Sequence, residues 1–188
     1  MTGRSPDKTQ DKAPDLRRID LRTLARQGGT LAGALLAQAL PRLAQSVESI
    51  EPARWSAKGE LRPVKGAEPQ VWLHLQADAA VRLVCQRCLQ TLEHPLRCER
   101  SFLFLADESE VERLDEELED DVLLLPRFFD LLELVEDELI LALPIVPRHD
   151  DCPQPLPLFL DLEVADAGEE TPHPFAALAA LKKTPRPN

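Results

Sequence analysis

The sequence predicts an α+β fold: an antiparallel β-sheet, able to curl toward a barrel, flanked by N-terminal and C-terminal helices. Two observations carry the prediction. From about residue 46 to 105 apolar and polar residues alternate with period two, in short runs joined by short polar turns, which favours an antiparallel meander over a parallel sheet. Behind it, over 130–143, the apolar spacing changes to that of an amphipathic helix with its own start and stop signals.

The chain has 188 residues, which suits one domain able to bury a core without disulfide staples. With 4% aromatic residues and no tyrosine, that core must rest on Leu, Val, Ile and Ala. The net charge of −11 argues against a simple basic nucleic-acid module. It favours either a basic protein partner or an RNA contact confined to one patch; by itself, acidity serves solubility. Nothing near Met1 reads as a secretory signal, and the longest apolar runs, such as Leu139 to Val146, are too short to span a bilayer. The expectation is a cytoplasmic protein with no membrane contact, whose four cysteines serve as thiols or metal ligands rather than disulfides.

Taken in order, residues 1–15 are polar and aperiodic and read as a disordered tail. A single domain is expected over 16–188. Residues 16–45 read as helical pieces, with Thr30 capping a helix whose Leu31, Leu35 and Ala39 share a face, and Pro41 ending it or opening a further turn. In the period-two stretch, Val71, Leu73 and Leu75 take one side of a strand and Trp72, His74 and Gln76 the other. Val81, Leu83 and Cys85 continue it. Leu92, His94, Leu96 and Cys98 share a face of the next run, with Phe102 and Phe104 in phase and Pro95 marking an edge or bulge. The block 106–121 sets ten carboxylates against Arg113 and reads as a solvated acidic loop or a frayed helix, or else as a surface for a basic partner. Asp130 then caps a helix in a capping-box arrangement with Glu133, Phe129 and Leu134 staple its start, and Leu131, Leu132, Val135, Leu139 and Leu143 form its stripe. Glu133, Glu136, Asp137 and Glu138 fill much of its other side, and Pro144 stops it. Residues 148–172 read as an irregular loop. A short last helix begins near Pro174 and ends on Lys182 and Lys183, which suit a helix C-terminus.

The chemistry concentrates in the cysteines. Cys85-x-x-Cys88 lies where one strand ends and the next begins, a turn on which two thiolates can hold one zinc ion tetrahedrally. His149 and Cys152 are the nearby pair with suitable spacing, with Asp150 and Asp151 as competing ligands. The alternative is that Cys85 and Cys88 pack as small apolar residues under the hairpin. A redox C-x-x-C belongs at a helix start, which this is not, and Cys98 reads as core. No phosphate-binding glycine loop, nucleophile elbow or H-E-x-x-H motif is present, so neither an enzyme nor a small-molecule substrate is expected. Arg87, between the two cysteines, is placed to reach an RNA phosphate or a partner carboxylate; the alternative is a local salt bridge.

Three segments together resemble the YceD family, the large ribosomal RNA subunit accumulation proteins. They are Cys85-Gln86-Arg87-Cys88-Leu89, then Val135 to Pro147 with His149 and Cys152 behind it, and then His173 to Lys183. The resemblance covers the chain from about residue 16 onward, apart from the acidic stretch and the proline-rich loop. It implies a non-enzymatic ribosome-biogenesis factor that supports synthesis, processing or accumulation of large-subunit (23S) ribosomal RNA. Its partner would be the precursor of that RNA or a basic ribosomal protein. The alternative from another class is a zinc-binding structural or regulatory adaptor without RNA contact.

Overall fold

The computed structural model describes residues 14–153 other than Ala67. The expectations for residues 1–13 and for everything beyond Pro153, the last helix included, lie outside the described residues. Helix α1 (Leu21–Gln27) opens on Asp20, whose carboxylate accepts the Thr23 N–H at 3.0 Å. It closes on Gly28 at φ 59°, the left-handed conformation that glycine adopts at low cost. The next segment corrects the sequence reading. Residues 30–35 form a strand, β1 (Thr30–Leu35), rather than a helix capped by Thr30. It pairs antiparallel with β3 (Ala53–Arg62), so tertiary pairing overrides the helical preference of its Leu and Ala residues.

Pro41 opens a helix, as one of the two readings had it: α2 (Pro41–Ser46) follows a single 3-10 turn. After β2 (Ser49–Ile50), the sheet is built on two 15-residue strands, β4 (Gln70–Val84) and β5 (Thr91–Leu105), paired antiparallel along their whole length. The acidic block is part helix. Asp107 caps α3 (Glu108–Asp115) by accepting the Ser109 and Glu110 N–H groups. The chain then returns as β6 (Asp121–Leu124), parallel to β5. The strands within 46–105 pair antiparallel as expected; β6 adds a parallel strand beyond that stretch, and α3 lies in the crossover a parallel pair requires. The sheet order is β1-β3-β4-β5-β6, with β2 on β4, and the sheet is open rather than curled into a barrel.

The period-two reading holds in detail. Leu73, Leu75, Val81, Leu83, Leu96, Phe102 and Phe104 sit on one face in the main core, with Leu92 and Cys98 packed beside them. The opposite face carries a smaller core of Trp72, Leu103, Leu105 and Val122, joined by Val111 and Leu114 of α3. Helix α1 lies close on β3, because Gly59 has no side chain: a Cβ there would stand 2.7 Å from Ala25 N.

Helix α4 (Leu131–Leu141) begins as predicted, with Asp130 Oδ1 accepting the Glu133 N–H at 2.9 Å. Leu131, Val135 and Leu139 are buried. Two of its acids depart from the expected solvated side. Glu136 is 5% exposed and accepts the N–H groups of Arg42 and Leu43 at 2.7 and 3.2 Å. It thereby caps α2, whose own cap residue, Leu40, has no side-chain acceptor. Glu138 is also buried. No described helix is long and apolar enough to cross a membrane.

Candidate metal centre

Pairing between β4 and β5 ends at Val84 and Thr91, leaving 85–90 as the hairpin tip. The tip folds back on itself: the Cys85 N–H donates to Gln90 O and the Leu89 N–H to Cys85 O, each at 2.9 Å. Leu89 takes φ 59°, a left-handed conformation uncommon outside glycine, which closes the turn around the sulfurs. The chain beyond α4 is brought to this tip by a single backbone bond, from the Gln86 N–H to Pro147 O at 2.9 Å. Five residues further on it delivers Cys152.

Cys85, Cys88, His149 and Cys152 converge so that one ligand atom from each lies within 4.8 Å of all the others. A tetrahedral zinc ion, with bonds of about 2.3 Å to sulfur and about 2.0–2.1 Å to nitrogen, sets two sulfurs about 3.8 Å apart and a sulfur and a nitrogen about 3.6 Å apart. Cys85 Sγ lies 3.7 Å from Cys152 Sγ, and Cys88 Sγ lies 3.5 Å from His149 Nδ1. His149 Nε2 lies 3.2 Å from the Thr91 carbonyl, which makes Nε2 the protonated nitrogen and leaves Nδ1 free to ligate. Cys85 and Cys88 are buried, and His149 and Cys152 partly so. The carboxylates of Asp150 and Asp151 are outside the group, and both residues are exposed.

The electrostatics match a cation site. Burial pushes the Cys85 thiol up, yet hydrogen bonds from the backbone N–H groups of Cys88, His149 and Arg87 outweigh it and bring the thiol down to about 5. Cys88 is pushed up by burial, reinforced by the sulfurs of Cys85 and Cys152. At the bare site the Cys85 thiolate is thus favoured and that of Cys88 opposed, an opposition that a cation between them would relieve. Arg87 Nε donates to Cys152 Sγ at 3.0 Å. Its guanidinium is therefore turned partly inward on the cluster, although the residue is exposed.

Sequence spacing named all four converging residues. It missed Thr91, Pro147 and the left-handed Leu89, which act through backbone groups or backbone conformation and leave no side-chain signature. Cys98 is apart from the cluster and packs against the main core. His74 sits on the opposite sheet face, 2.7 Å from Glu60 Oε2 and 2.9 Å from Ser101 Oγ.

Residues 73–182 match the model of the family described as Large ribosomal RNA subunit accumulation protein YceD. The chain belongs to the YceD family. A Haemophilus influenzae protein of that name is 31% identical over 154 residues, which is 80% of this chain and 86% of that protein. The YceD span contains all four converging residues and Arg87. No solved structure matches the chain.

Proposed function

We propose that this protein is a non-enzymatic factor for accumulation of large-subunit (23S) ribosomal RNA, working in the cytoplasm by binding during assembly of that subunit. Membership of the YceD family carries the reading. The Cys85/Cys88/His149/Cys152 cluster serves as a structural zinc site. It pins residues 147–152 to the hairpin tip and sets Arg87 at that tip, where its guanidinium reaches an RNA phosphate or a partner carboxylate. When bound, zinc supplies charge neutralisation and cross-linking; all four protein ligands close its tetrahedral shell, as in structural rather than catalytic sites.

The test is a strain lacking the gene, complemented with wild type, Arg87→Ala or Cys152→Ser. The deletion is expected to lower mature 23S relative to 16S RNA, wild type to restore the ratio, and both variants to restore it only in part. An unchanged ratio in the deletion strain overturns the proposal. A second reading, a zinc-dependent adaptor without RNA contact, draws on the same cluster and on the net charge of −11. It predicts that Arg87→Ala complements fully.

A further inference from the structure

We infer that the groove between β6 and α4 is a docking site for a basic, amphipathic polypeptide segment. The inference rests on the assembly role proposed above and names the chemical class of one partner. The groove encloses about 500 Å³. Its rim carries Asp115, Asp121, Asp130, Glu133, Asp137 and Glu138. Its floor is apolar, made by Phe102, Leu123, Phe129 and Leu134. Three arginines pair with parts of this rim: Arg17 with Asp130, Arg42 with Asp137, and Arg100 with Asp121. Arg42 is shared with Glu136 and Arg100 with Glu138, so the carboxylates outnumber the guanidiniums, and Asp115 and Glu133 have no ion-pair partner among the described residues.

Glu138 is the observation that asks for a ligand. It is 7% exposed, it lines the groove, and among the described residues no hydrogen bond reaches its carboxylate. Its nearest cation, Arg100 Nε, is 3.9 Å away, beyond hydrogen-bonding distance, and is already committed to Asp121. Burial raises its pKa, Arg100 opposes the rise, and Asp121 and Asp137 add to it, so its charge is only partly compensated. An incoming ammonium or guanidinium adds a charged hydrogen-bond donor beside it.

The choice of occupant follows from the arrangement. A single metal ion needs carboxylates that converge, and among the described residues only the cysteine–histidine group does so. RNA meets like charge here. A polypeptide with Lys or Arg on one side and apolar residues on the other matches both the rim and the floor.

The test uses the full chain and a fluorescein-labelled peptide of two Leu-Lys-Lys-Leu-Leu-Lys-Leu repeats, which sets lysine on one helix face and leucine on the other over about four turns. A Glu-Ala-Leu peptide and an oligouridylate are the comparison probes. The lysine peptide is expected to bind, more weakly as salt rises, and to shift the Leu123 and Leu134 methyl resonances. Glu133→Gln with Glu138→Gln is expected to weaken binding roughly tenfold, a difference of about 1.4 kcal/mol. Glu51→Gln with Glu68→Gln removes the same charge outside the groove and should leave binding as it was. The glutamine pair preserves shape and removes a buried charge, so its melting temperature should not fall. Equal loss in both double variants overturns the inference, as does retained binding in the groove variant. Oligouridylate binding that depends on Glu133 and Glu138 reassigns the groove to RNA and overturns it too. If the peptide fails while the deletion strain still loses 23S RNA, the proposed function stands and this inference alone is lost.

Discussion

If the four converging side chains bind zinc, the protein purified without chelator or affinity histidines should carry one zinc per chain. The magnitude can be worked from the site. Its separations of 3.7 and 3.5 Å already match the tetrahedral spacing, so binding requires little rearrangement of the ligands. At a free zinc concentration about a hundredfold above Kd, a site present only in the folded chain stabilises by about 2.7 kcal/mol. For a chain of this size that corresponds to a rise of roughly 5–11 °C in melting temperature. Chelation should therefore lower the midpoint by about that much, and zinc should restore it. Cys85→Ser, Cys88→Ser and Cys152→Ser should each abolish both the metal content and the response to chelator. Cys98→Ser should change neither, because Cys98 packs against the core away from the cluster. Metal analysis beside calorimetry reads both quantities. A zinc content near zero, or a Cys98→Ser protein that loses metal like Cys152→Ser, would refute the reasoning.

Three further outcomes are expected. Gly59→Ala should destabilise by about 1–3 kcal/mol in denaturant unfolding. Its Cβ meets Ala25 N, Leu24 C and Ala25 Cα at 2.7–2.9 Å, all backbone atoms that cannot rotate away; Gly33→Ala, with 3.5 Å to Trp55, should be close to neutral. Glu136→Ala should cost about 1–3 kcal/mol, because the first N–H groups of α2 lose their acceptor, while Glu133→Ala, with no such partner, should cost far less. Glu60 is held at about 2, below its ordinary 4.5, by hydrogen bonds from Arg62 and then His74. Its contribution is fully present above about pH 4.5 and is lost as pH falls toward 2, so Glu60→Gln should differ from wild type at neutral pH and converge with it near pH 2. A constant gap across that range in acid-unfolding curves would show that Glu60 does not titrate in this window.

The parts of the fold legible in the sequence are those specified by local pattern. The β4–β5 hairpin declared itself through alternation, and α4 through Asp130 and Glu133. The four converging side chains were legible because C-x-x-C and H-x-x-C are chemical signatures at short spacing. What escaped was set by distant partners. Thr30–Leu35 is rich in helix-forming residues and becomes a strand only because β3 offers an edge. Asp121–Leu124 is four residues long, stands at the end of a run of acids, and pairs with a strand that ended sixteen residues earlier. Glu136 reads as one more surface acid on an acidic helix, and its role as a cap exists only once α2 lies beside α4. In each case the deciding interaction lies outside any window in which periodicity can be read.

If a metal binds at the tip, the length of the hairpin gives it a role there. Main-core residues reach only as far as Leu83 and Leu92, beyond which the tip has few apolar neighbours to hold a returning chain. Four ligand bonds can fix residues 147–152 there without adding a core. The same strands separate the tip from the acidic groove. Arg87 stands just past the Thr91 end, whereas Phe102, in the floor of the acidic groove, lies eleven residues along β5. At about 3.3 Å per residue that is roughly 35 Å, several Debye lengths in physiological salt, so neither surface screens or neutralises the other. Under the readings proposed above, Arg87 at the tip and the acidic groove can therefore engage separate partners at once, a nucleic-acid phosphate at one and a basic polypeptide at the other. Variants at Arg87 and at Glu138 should then affect those two contacts independently, and their double variant should lose both with no coupling beyond about 0.5 kcal/mol.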